Sequence, residues 1–117
     1  MSNYCFVAPI LPGGEEKMKI WIRDEVNNNA DHDRVMRQAG VSREQLWIQH
    51  TPMGDFAVAS WETSDPGKTF KVVANSNDPW AAKFRAMLIN AHGIDFSEAV
   101  LLNEQIAEWQ AMEKVRS

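Results

Sequence analysis

His50 and His92 are the side chains best suited to moving protons near neutral pH, because an unperturbed imidazole changes charge close to it. His50 stands just before Pro52-Met53-Gly54-Asp55, and His92 just before Gly93. If the chain transforms a substrate, His50 is the expected acid or base. Both histidines also have structural readings: His50 as a half-exposed residue beside a turn, His92 as a cation at the negative end of a helix dipole. His32 lies in Asp31-His32-Asp33. Adjacent helical side chains point in different directions, so these potential ligands are not expected to share a metal ion.

Trp47, Gln49 and Trp61 are the expected walls of a small-molecule pocket, together with Arg85 and His92. Two indoles would supply an apolar surface and Gln49 one polar anchor, as small-molecule pockets are usually built. Trp47 and Gln49 share one strand face. Trp61 joins them if the hairpin pairs odd residues with odd, and lies on the opposite face in any other register. The competing reading packs both indoles against helices or a partner. Arg85 could grip an anionic group with its forked guanidinium, or serve as an ordinary surface ion. Cys5, the only cysteine, reads as a small buried hydrophobe. As a nucleophile it would need a base beside it, for which His50 is the conceivable choice.

Composition narrows the classes. A chain of 117 residues with 44% hydrophobic and 24% charged residues is ordinary for one globular domain. The net charge of −4 and the absence of a basic run argue against nucleic acid as a partner. Arg34, Arg37 and Arg43 alternate with Asp31, Asp33 and Glu44 and read as a solvated helical face. One cysteine forms no internal disulfide and suits a reducing compartment, so a cytoplasmic location is expected. Residues 4–11 are apolar, but Pro9 and Pro12 interrupt them and no basic segment precedes them. They read as a strand rather than a leader. No run is long enough to span a membrane.

These residues must be positioned by a recognisable series of elements. Residues 4–10 form a first strand, ended by Pro12-Gly13-Gly14. A helix starts near Glu15 with Met18, Trp21, Ile22 and Val26 along one side. Asn27-Asn28-Asn29 weaken it; Val35, Met36 and Ala39 resume the pattern, and Gly40 ends it. Ser42-Arg-Glu-Gln45 has the form of a capping box and is expected to open one helical turn. Leu46–Thr51 and Phe56–Thr63 form a hairpin about Pro52–Asp55. Asp65-Pro66 and Asp78-Pro79 each place a capping aspartate before proline at the first helical position, predicting helices over about 66–75 and 79–92. Residues 98–115 have helical spacing at Leu102, Ile106, Trp109 and Met112, but the topology asks for a fourth strand between 99 and 109.

The order β-α-β-β-α-β predicts an α+β, ferredoxin-like fold with a four-stranded antiparallel sheet and helices on one face. The hairpin strands alternate without producing a polar face, so the open side of the sheet is expected to meet a second copy. Phe6–Gly13, Gly40–Gln45, Trp47–Asp55, Asp78-Pro79 and His92–Asp95 together resemble the dimeric α/β barrel superfamily, and within it a group of small bacterial proteins of unassigned function. The resemblance implies two sheets forming a dimeric α/β barrel. Related barrels include cofactor-free monooxygenases, haem-degrading enzymes, lactone isomerases and stress proteins, whose catalytic residues are not shared.

The expected function is a homodimer that binds or transforms a small organic molecule in an apolar pocket, with no metal or other cofactor. The alternatives are a non-catalytic binding or interaction module with a filled sheet face, and a haem-handling or monooxygenase-like enzyme.

Overall fold

A computed structural model of the chain describes residues 2–98 and 102–111. Three strands, β1 (Ser2–Pro9), β2 (Val41–Thr51) and β3 (Gly54–Thr63), form one antiparallel sheet in the order β1-β3-β2. Among the described residues four α-helices accompany it: α1 (Gly14–Trp21), α2 (Ala30–Gln38), α3 (Pro66–Asn75) and α4 (Pro79–His92). The class is α+β, as expected, but among the described residues the sheet has three strands rather than four. Because β3 is antiparallel to both neighbours, β1 and β2 run parallel on either side of it.

Local chemistry explains most of the boundaries. The helix that begins at Gly14 loosens into a π turn at Ile22–Val26. It stops where Asn28 takes a left-handed φ of 53° and the Asn29 side chain accepts the His32 amide. Asp65 and Asp78 accept the amides of Lys68 and Trp80, so both expected caps are present. Thr51 and Gly54 close the hairpin, with the Thr51 hydroxyl donating to the Gly54 carbonyl and accepting the Met53 amide.

Two local expectations need correction. The capping-box reading of Ser42–Gln45 fails, because β2 already runs from Val41, with a bulge-like register shift between Val41 and Arg43. β3 is long enough to pair with that whole stretch. The expected fourth strand is also missing from residues 102–109, which carry no regular structure, while 99–101 lie outside the described residues. At the outer edge of β1, the Cys5 amide donates to Asn103 Oδ1 and Asn103 Nδ2 donates to the Cys5 carbonyl, each at 2.7 Å. One side-chain amide thus takes the place of a ladder. Glu104–Gln110 are rich in residues that strands disfavour. The expectation of two four-stranded sheets closing a dimeric barrel falls with that strand.

One face of the sheet is covered and the other is open. Tyr4, Ala8, Ala57, Trp61 and Thr63 are buried beneath Val35, Phe70, Val73, Trp80 and Leu88 of the helices. At the rim, Gly14 lies so close to α4 that a Cβ there would stand 2.5 Å from the Ala91 carbonyl oxygen. On the open side Val7, Val58 and Trp47 lie side by side across all three strands. Val7 is 61% exposed and Trp47 47%.

Candidate functional site

A cavity of about 60 Å³ lies between the sheet and the helices. Leu46, Ala59 and Trp61 of the sheet form its floor, and Trp21, Trp80 and Phe84 part of its helical wall. The rings pack on one another: Trp80 and Phe84 are stacked with centroids 5.6 Å apart, and Trp21 lies 5.4 Å from Trp80. The π turn contributes Ile22 and Val26 to the wall, and such turns recur at functional sites.

Polar groups enter this apolar space at one side. Strand pairing sets Glu44 opposite Trp61. The Trp61 indole donates from Nε1 to Glu44 Oε2 at 2.6 Å. Glu44 Oε1 lies 2.8 Å from His32 Nε2, and His32 Nδ1 lies 2.9 Å from Asp33 Oδ1. The His32 and Glu44 side chains are only 12% and 16% exposed. His32 also sets its ring edge-on to Trp80, with centroids 5.4 Å apart.

Burial is the largest single influence on His32 and pushes its pKa down. Hydrogen bonds to Glu44 and Asp33, with their charges, outweigh it and leave the imidazole above its ordinary value. Both ring nitrogens face carboxylates, which only the protonated ring can serve as a double donor. The arrangement is an imidazole held between two carboxylates that favour its protonated form, with the inner carboxylate exposed to an aromatic cavity. It can store a proton and pass it to or from a bound group.

The expected site residues are divided by the fold. Because Trp47 pairs with Val58, and Trp61 with Glu44, the two indoles occupy opposite faces of the sheet. Trp47 and Gln49 lie on the open face, whereas Trp61 and His92 line the cavity. His92 is buried and its Nδ1 donates to the Pro9 carbonyl at 2.9 Å. Arg85 lies outside the cavity lining: its guanidinium donates to the carbonyls of Val73 and Ser76 at 2.8 and 2.9 Å, closing the end of α3.

His50 sits at the hairpin end with its side chain 70% exposed, 2.8 Å from Asp55. That hydrogen bond, then the Asp55 charge, raises its pKa. Cys5 is exposed rather than buried, since it points to the open face of β1. It opposes Ser60 while His50 opposes Asp55. Those partners stand five positions apart on β3, roughly 16 Å at the rise of a strand, so His50 is no base for Cys5. Glu15, His50 and Asp55 have ligand atoms within 4.8 Å of one another and could share a cation. Glu15 is also paired with Lys19, and exposed acidic groups cluster this way without an ion.

The alternating charges around His32 and Glu44 suit a solvated helix and so mask both residues in the sequence. The available signal was the two-residue period Glu44, Leu46, Ile48, which places the carboxylate on the same strand face as two aliphatic side chains. No family model, curated protein or solved structure matches the chain. Among the described residues no helix is long and apolar enough to cross a membrane.

Proposed function

We propose that the protein binds a small, mainly apolar organic molecule in the cavity between sheet and helices, and that the His32–Glu44 pair moves a proton on it. The observation that carries this reading is a buried imidazole held between Glu44 and Asp33 at the wall of an aromatic cavity. Perturbed titratable groups beside an apolar pocket are the usual mark of acid–base chemistry. His32 and Glu44 replace His50 in the catalytic role, because His50 stands in solvent away from the cavity. A volume of about 60 Å³ holds only a few atoms without movement of the wall. A ligand of one ring therefore displaces part of it, and the π turn with the Asn27–Asn29 break is the segment that yields.

Tryptophan fluorescence tests the binding half directly, since Trp21, Trp61 and Trp80 stand around the cavity. Titration with a panel of neutral one- and two-ring aromatic compounds should quench emission saturably, and native mass spectrometry should show the bound mass. Bound compounds then serve as substrates for hydrogen–deuterium exchange at their acidic positions, which Glu44→Gln should abolish. Absence of saturable binding across the panel overturns the reading.

The tight mutual packing of the rings favours a second reading, a non-catalytic module whose interior is simply filled. It predicts no saturable quenching. A haem macrocycle needs far more room than this cavity provides.

The same reading places a second copy of the chain on the open sheet face. The row Val7–Val58–Trp47 is apolar and half exposed in the single chain, which is the character of an association surface. Native mass spectrometry should give twice the 13.3 kDa chain mass.

A further inference from the structure

We infer that residues 102–111 form an arm that packs its apolar side chains on a second copy of this chain. The inference rests on the pairing of copies proposed above. Leu102, Ile106 and Trp109 are 48%, 89% and 84% exposed. Two of these rank among the most exposed large apolar side chains described, yet all three recur at spacings of four and three residues. The segment carries no regular structure, so these apolar side chains stand out from it singly, between the exposed Glu104, Gln105 and Glu108. Large apolar side chains with no core of their own to bury them mark a surface that another body covers.

The arm is anchored at its root and free beyond it. Asn103 grips both backbone groups of Cys5 on the outer edge of β1. Past that point, every hydrogen bond described for residues 104–111 stays inside the segment, from Gln105 to Ala107 and Glu108 and from Gln110 to Glu108. The radius of gyration is 15.7 Å, against about 13 Å for a compact chain of this length. The arm extends the molecule instead of folding onto it.

The occupant is a second copy because the arm and the open face are contiguous. Cys5, Phe6, Val7, Leu102 and Asn103 together line the groove from which the arm departs, and Val7 begins the apolar row on the open face. One chain thus carries two unpartnered apolar surfaces that meet at one sheet edge. A two-fold axis lets each copy give an arm and receive one, covering both surfaces in a closed pair.

Sedimentation measurements on the full chain, Ile106→Glu/Trp109→Glu and Trp47→Glu test the arm. The arm variant should weaken self-association at least tenfold with an unchanged far-ultraviolet circular dichroism spectrum. An unchanged dissociation constant in that variant overturns the arm while leaving the paired sheets intact. A monomeric wild-type chain overturns both. To establish exchange, ¹⁵N-labelled chains are mixed with unlabelled Cys5→Ser/Gln110→Cys chains bearing a nitroxide at position 110. Broadening of the labelled copies' Trp47 indole signal is expected. Broadening seen only when nitroxide and ¹⁵N share one chain would place the arm on its own sheet and overturn the inference.

Discussion

Glu44 and Trp61 face each other across the β2–β3 ladder, and the indole Nε1 donates to the carboxylate at 2.6 Å. Glu44 therefore holds two donors at once, Trp61 on one oxygen and His32 on the other. Removing the carboxylate strands both. Glu44→Ala should cost about 1–3 kcal/mol, the usual penalty for a buried donor left without an acceptor. Chemical denaturation measures it. Trp61→Phe/Glu44→Ala should cost less than the sum of the two single changes, because the pair is lost together.

The His32 imidazole links folding to pH. Its folded pKa lies above its ordinary value near 6.5. A raised cationic pKa contributes stability that is fully present below the unfolded value and is lost as pH rises through the folded one. Melting temperature should therefore decline as pH rises past the ordinary value near 6.5 and on through the higher folded value. His50 has a raised pKa from Asp55 as well, so the experiment belongs in a His50→Gln background, which removes that exposed pair. His32→Asn should flatten the remaining slope. An unchanged slope would show that His32 is not protonated between its two carboxylates.

Arg85 should behave as a structural clamp. Its two bonds to the Val73 and Ser76 carbonyls satisfy acceptors at the end of α3. Arg85→Ala should destabilise by roughly 1–3 kcal/mol. Arg85→Lys should recover only part of that, since an ammonium does not reproduce the fork. Aromatic compounds that bind the wild-type cavity should bind Arg85→Lys with unchanged affinity, and a tenfold loss would return this residue to the site.

Features whose cause is local were legible in the sequence. Asp65-Pro66 and Asp78-Pro79 carry both the cap and the fixed φ of the first helical turn, and both helices start there. The hairpin was readable from its turn residues, but its facing was not. Because Thr51 pairs with Gly54 across a two-residue loop, every odd residue of β2 from Thr51 back to Gln45 faces an even residue of β3. That single closing pair sends Trp61 to the core and Trp47 to the open face. The absent fourth strand was a topological expectation, and Asn103 met the Cys5 edge by side-chain chemistry that no periodicity reports. Glu44 is masked by charged neighbours that suit a helix, whereas its cross-strand partner lies seventeen positions away.

Two glycines should respond to alanine with opposite signs. At Gly14 a new methyl would stand 2.5 Å from the Ala91 carbonyl oxygen and 3.1 Å from the Ile10 side chain. The first of these neighbours is backbone, held in place because the Leu11 amide donates to the same Ala91 oxygen at 3.0 Å. The chain must therefore separate α1 from α4 to admit the group, and overpacking of this kind costs about 1–3 kcal/mol. At Gly67, in the first turn of α3, the methyl would meet only the Asp65 carboxylate oxygen at 3.6 Å, an ordinary contact. There the lower backbone entropy of alanine in the unfolded chain acts without opposition, so Gly67→Ala should stabilise by about 0.4–1 kcal/mol. Paired thermal melts check both. A stabilised Gly14→Ala would mean that α1 and α4 approach less closely than the fold described here, and with them the wall of the cavity that Met18 and Trp21 share with Phe84 and Leu88.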